Sequence, residues 1–90
     1  MTIKQSACSG TLESSDVYVE IEPAEDGLTV HIESIVDKQF GKAIRAAVLD
    51  VLNEFDVQNA LVRITDRGAL ECVIRARVET AIVRGNEVQP

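Results

Sequence analysis

The chain is short of the residues most enzymes rely on. Its 90 residues include one histidine, no tryptophan and only three aromatic side chains, Tyr18, Phe40 and Phe55. A metal site needs three or four ligands at suitable spacing, and the sequence offers no such cluster. His31 alternates with Thr29 and Glu33 on what reads as the solvated face of a strand, so it is expected to be an ordinary surface residue. Glycine-rich phosphate loops, dinucleotide fingerprints and the GxSxG nucleophile elbow are missing. Two cysteines, Cys8 and Cys72, make neither a disulfide framework nor a zinc site, and they read as reduced thiols. No stretch approaches the ~20 apolar residues of a membrane helix, and Met1–Cys8 has no apolar core of signal-peptide length. These absences lead to the expectation of a cytoplasmic protein that engages no membrane.

What is present describes one small domain. A chain of this length buries roughly 60% of the surface its unfolded form exposes, which leaves little room for a deep enclosed active site. Apolar residues make up 46% of the chain, and with so few aromatics the core must be built from Val, Ile, Leu and Ala. The net charge of −6 is unevenly spread. Residues 1–36 hold seven acids (Glu13, Asp16, Glu20, Glu22, Glu25, Asp26 and Glu33) against Lys4, whereas residues 37–90 hold eight acids and eight bases. An acidic surface repels phosphate backbones, which argues against nucleic-acid binding. It suits association with a basic protein partner, or solubility alone.

Residues 1–16 are small and polar and read as an exposed N-terminal arm. Strict alternation then begins, with Val17, Val19 and Ile21 facing one way and Tyr18, Glu20 and Glu22 the other, as in a half-buried strand. The segment Pro23-Ala24-Glu25-Asp26-Gly27 reads as a turn, with Asp-Gly supplying the positive φ of a tight reversal. Alternation resumes at Leu28, Val30 and Ile32, so the two runs are expected to form a hairpin. Phe40, Ile44, Val48, Val51, Leu52 and Phe55 follow a helical period, with Ser34 or Asp37 able to cap the start. Ala60, Val62 and Ile64 alternate in a third strand. Asp66-Arg67-Gly68 turns into a second helix, with Leu70, Val73, Ile74, Val78, Ala81 and Ile82 on one face. Glu71 and Arg75 stand at i and i+4, Gly85 reads as the stop, and residues 86–90 as a frayed tail. The expected fold is α+β in two layers, a three-stranded sheet with two helices on one face, in the order β-β-α-β-α. Its body spans 17–85, and its second and third strands form a crossover unit.

The chemistry narrows to Gly10-Thr11-Leu12-Glu13-Ser14-Ser15-Asp16. A serine between carboxylates has no base to activate it, but as a modification acceptor it need only present an exposed hydroxyl. Composition alone favours a polar leader before a strand. Arg75, Arg77 and Arg84 on the second helix could bind an anion or form a solvated face.

Three separated segments in one order resemble the acyl carrier protein (gamma) subunit family of citrate lyase. They are Gly10-Thr11-Leu12-Glu13-Ser14-Ser15-Asp16-Val17, Val36-Asp37-Lys38-Gln39-Phe40-Gly41, and Gly68-Ala69-Leu70-Glu71-Cys72-Val73-Ile74-Arg75-Ala76-Arg77-Val78. The resemblance implies a non-catalytic carrier whose Ser14 holds 2′-(5″-phosphoribosyl)-3′-dephospho-coenzyme A through a phosphodiester. The position after the serine is glycine or serine in that family, so Ser15 fits and is also a rival hydroxyl. The resemblance further implies that the arm's thiol carries acetyl and citryl thioesters between a transferase (alpha) and a lyase (beta) subunit during cleavage of citrate to oxaloacetate and acetate. A prosthetic-group transferase would attach the arm. Tethering of this kind makes each transfer effectively intramolecular. The carrier subunit of malonate decarboxylase and an unmodified α+β interaction module are the alternatives. The phosphates are expected to keep the arm off the acidic strands, leaving it mobile or leaning toward Arg75, Arg77 or Arg84 if the fold brings the second helix near.

Overall fold

The computed structural model describes residues 1–35 and 40–87. In chain order these form β1 (Ala7–Gly10), β2 (Val17–Pro23), β3 (Leu28–Ser34), α1 (Gly41–Glu54), β4 (Ala60–Asp66) and α2 (Glu71–Asn86). The strands make one sheet in the order β1-β2-β4-β3. β2 runs antiparallel to both β1 and β4, while β3 and β4 are parallel, as the crossover through α1 requires. The class is α+β, as the patterning indicated.

Alternation sets the two faces of this sheet. Val17, Val19, Ile21, Val30, Ala60, Val62 and Ile64 are buried and form one core with Ile44, Val48, Val51 and Leu52 of α1 and Ile74, Val78, Ala81 and Ile82 of α2. The opposite face carries Glu20, His31 and Arg63 and among the described residues has no helix over it, and His31 is exposed as expected. The core is wholly aliphatic. Fully buried side chains such as Leu52, Ile64 and Ile82 each contribute about 1.5–3 kcal/mol of transfer free energy.

The expected three-stranded sheet is corrected to four strands. The additional strand, β1, comes from residues expected to form an exposed arm. Ile3 is buried, and Ser9 is 97% buried beside Val19. Lys4 and Gln5 donate their backbone N–H groups to the Gly85 carbonyl at 2.8 and 3.1 Å. β1 lies against α2, and Ser9 is its one buried residue.

The expected hairpin is also corrected. β4 inserts between β2 and β3, so that Ala60 pairs with Pro23 on one side and Leu28 on the other. Straddling one strand separates β2 from β3 by two inter-strand spacings, roughly 10 Å, a span that Ala24–Gly27 can bridge. Gly27 does supply the expected positive φ, at +91°.

Gly85 does not end α2. It lies within the helix, where an added Cβ would stand 3.2 Å from Ile3 Cγ2 and 3.3 Å from the Gln5 carbonyl oxygen. Phe40 and Leu70, both expected on core stripes, instead occupy the N-cap positions of α1 and α2 and are exposed. Ser34 belongs to β3, and its hydroxyl lies 2.9 Å from the buried Asp66 carboxylate. The expected Asp37 cap and most of the expected frayed tail lie outside the described residues.

Register places the functional end of the molecule. Gly10 pairs with Tyr18, Val17 with Asp66, and Ser34 with Asp66. The loop 11–16, the end of β3, the 67–70 connection and the starts of both helices therefore share one end of the sheet.

Candidate functional site

Ser14 stands in the β1–β2 loop, where residues 11–15 are all exposed. Gly10 opens this loop at φ +89°, and a Cβ there would lie 1.8 Å from the Val17 carbonyl oxygen. Only glycine permits that approach. Thr11 Oγ1 donates to Asp16 Oδ2 at 2.7 Å and accepts the Glu13 N–H at 3.2 Å. The Asp16 N–H closes the turn on the Glu13 carbonyl at 3.2 Å.

Asp16 is the staple of this loop. Its Oδ1 accepts the Val17 N–H at 2.7 Å, and its two oxygens take Arg77 Nε and Nη2 of α2 at 3.1 and 3.0 Å. This is the fork geometry in which a guanidinium holds a carboxylate best. The carboxyl pKa is lowered to about 2, first by the Thr11 hydroxyl, then by the Val17 N–H and by Arg77. Ser15 and Asp16 also extend the β2–β4 ladder. The Ser15 N–H donates to the Arg67 carbonyl at 2.8 Å, and the Arg67 N–H to the Asp16 carbonyl at 2.9 Å.

The residue following Ser14 adopts φ +67°, a left-handed conformation that glycine enters most readily and short polar residues tolerate. This gives a physical reason for glycine or serine at position 15. The loop thus has fixed ends and an exposed tip. Among the described residues, no hydrogen bond engages the Ser14 hydroxyl, and Asp16 is turned toward Thr11 and Arg77. No group of three or more His, Cys, Asp or Glu that could hold a metal ion occurs among the described residues. Such a serine suits modification by an external enzyme better than attack on a substrate.

The three arginines expected to attract an anion are already engaged. Arg75 pairs with Asp50 at 2.6 Å and Glu71 at 3.5 Å, Arg77 holds Asp16, and Arg84 Nη1 donates to the Cys8 carbonyl at 2.9 Å. They hold α2 to α1, to the loop and to β1. Both cysteines are free and exposed. Beside the Ser14 loop, Phe40, Ala43, Ile44, Ala47, Ala69 and Ile74 line an open groove of about 240 Å³ between the helix starts. Sequence spacing did not reveal this groove, because Phe40 read as a core residue.

Comparison with known proteins follows the same lines. Residues 4–85 match the family model ACP, described as "Malonate decarboxylase delta subunit (MdcD)", which defines the chain as an acyl carrier protein. The chain is 52% identical over 90 residues to the "Citrate lyase acyl carrier protein" of Edwardsiella ictaluri (strain 93-146), covering 98% of this chain and 91% of that one. It is 45% identical over 84 residues to the protein of the same name from Streptococcus uberis (strain ATCC BAA-854 / 0140J), covering 93% and 83%. The chain belongs to the citrate lyase acyl carrier protein family. A chain from the crystal structure of a Pseudomonas malonate decarboxylase hetero-tetramer in complex with malonate shares the fold, with a TM-score of 0.76 at 24% identity over 91% of this chain and 84% of that one.

Proposed function

We propose that this chain is the non-catalytic acyl carrier subunit of a citrate lyase and that Ser14 is its attachment point for phosphoribosyl-dephospho-coenzyme A. The observation that carries this reading is the exposed, unbonded Ser14 hydroxyl at the tip of a loop whose ends are held by Asp16 and Gly10. The residues fit such a group. A phosphodiester needs a hydroxyl that an external enzyme can reach, and Arg67, whose main chain pairs with this loop, has a buried Nε without an acceptor.

When attached, the group supplies a thiol for acyl transfer. The chain itself supplies the position. Its staple fixes where the tether begins, while the exposed tip leaves the arm free to swing. A tethered acyl group is presented to each partner at an effective concentration set by arm length rather than by diffusion from bulk. The partners in this reading are the transferase (alpha) and lyase (beta) subunits and the prosthetic-group transferase, in the cytoplasm. The net −6 of residues 1–36 would steer the carrier toward basic faces on them. Charge steering of this kind weakens with salt, because interactions beyond ~8 Å are screened at physiological ionic strength.

Intact-mass measurement of the protein purified from a host that makes the cofactor, with fragmentation to localise the adduct, tests the proposal. The expected result is one added phosphoribosyl-dephospho-coenzyme A on the peptide containing Ser14. An unmodified mass would overturn it and favour an interaction module. A carrier of malonate decarboxylase, the alternative favoured by the description of the family model, would restore malonate decarboxylation and not citrate cleavage when mixed with the other subunits.

A further inference from the structure

Arg67 differs from four other arginines of the molecule. Arg45, Arg75, Arg77 and Arg84 all donate to protein oxygens. The Arg67 Nε is buried with no hydrogen-bond partner, and it is the one buried side-chain nitrogen or oxygen in that condition among the described residues. A guanidinium N–H removed from water and left without an acceptor is unfavourable, and such a group in a folded protein asks for an explanation. Its location offers one. The Arg67 carbonyl and N–H are hydrogen-bonded to Ser15 and Asp16, so the main chain that bears this side chain runs directly beside the loop that presents Ser14.

We propose that Arg67 is an anion-binding residue for the phosphodiester formed on Ser14, holding the first phosphate of the arm against the β4–α2 connection. This inference rests on the reading of Ser14 as the attachment point. A phosphodiester carries one negative charge and two free oxygens, which suit the parallel N–H donors of a guanidinium. The same arrival would give the buried Nε–H its acceptor. It would also offset the charge that modification places between Glu13 and Asp16, one of which already has its own cation in Arg77. Arg67 would act by positioning and would take part in no bond that forms or breaks.

The test uses ¹⁵N-labelled wild-type protein with and without the arm, loaded by co-expression with the transferase and verified by intact mass. Loading should shift the Arg67 Nε–Hε resonance well beyond its linewidth and slow its exchange with water. The ³¹P resonance of the phosphodiester in the folded protein should differ from that in urea. In loaded Arg67→Gln it should move toward the urea value, while Arg67→Lys should stay nearer wild type. Lys42→Gln, which removes an exposed cation from the first turn of α1 at the same end, should leave it unmoved. A loaded wild type whose Arg67 Nε–Hε resonance matches that of the unloaded protein overturns this inference alone. So does a ³¹P shift indifferent to Arg67→Gln. A wild type that gains no mass under these conditions instead overturns the assignment of Ser14.

Discussion

At one end of the sheet Gly10 turns the chain at φ +89° beneath a carbonyl that would stand 1.8 Å from any Cβ; at the other, Gly27 turns it at φ +91° into open space. The surroundings differ in the same way. The Gly27 end is tied by single contacts to Asn59 and Ala60, and its exposed neighbours are mostly polar, among them Glu25, Asp26, Gln58 and Asn59, with Pro23 and Met1 the apolar exceptions. The Gly10 end is held through Thr11, Asp16, Arg67 and Arg77, and yet it exposes Leu12, Ile35, Phe40 and Leu70, each by more than half. A connection that only reverses the chain is solvated and loosely tied. The connection that bears Ser14 is braced and shares its end of the sheet with exposed apolar side chains, a surface that suits the proposed approach of a modifying enzyme.

Alanine substitution at the two glycines should separate the ends most sharply. Gly10→Ala combines a left-handed backbone with a backbone clash and should cost about 3 kcal/mol or more. Gly27→Ala meets only the conformational penalty and should cost about 1 kcal/mol. Urea unfolding of both variants measures the difference, and equal losses would show that the Gly10 loop is not tightly placed.

Breaking the staple should act next, and with a pH signature. The folded-state pKa of Asp16 lies near 2, below its ordinary value of 3.8. Its ionised form is therefore favoured by folding. That stability is fully present above about pH 5 and is lost as pH falls through 3.8 toward 2. Asp16→Asn should be less stable than wild type at neutral pH and should converge on it in acid. Urea midpoints across that range test the sign, and a constant difference between the proteins would remove ionisation of Asp16 from the account. The Ser15 and Arg67 amides, which pair across this loop, should also lose hydrogen-exchange protection in the variant.

Smaller effects are expected at the tip. Ser15→Gly relieves a serine held at φ +67° and should be neutral or stabilising by up to about 1 kcal/mol. Ser14→Ala should lie within about 0.5 kcal/mol of unmodified wild type, as exposed changes do. A molten Ser14→Ala variant would mean that the tip is part of the scaffold.

How much of this was legible follows from what sequence patterns encode. Alternation at Val17–Ile21, Leu28–Ile32 and Ala60–Ile64 identified three strands, because one face of each packs on the core. It could not say which strand lies beside which, since Val30 is buried whether its neighbour is β2 or β4. β1 was hidden because its inward residue is the small, polar Ser9 and its core partner, Ile3, sits alone in a polar stretch. Phe40 and Leu70 misled because a helical period continues formally into a cap, where the backbone has already turned away. The loop motif stood out, but its brace did not. Asp16 and Arg77 are 61 residues apart, and no spacing rule joins them. The groove and the orphaned Arg67 donor needed coordinates for the same reason.

The claim that this end exists to present Ser14 is tested most directly by two alanine variants. Ser14→Ala and Ser15→Ala, each co-expressed with the prosthetic-group transferase and its cofactor supply, should be weighed by intact-mass spectrometry. Ser14→Ala should remain unmodified while Ser15→Ala gains the full mass of the arm. Modification kept in Ser14→Ala and lost in Ser15→Ala would contradict the account.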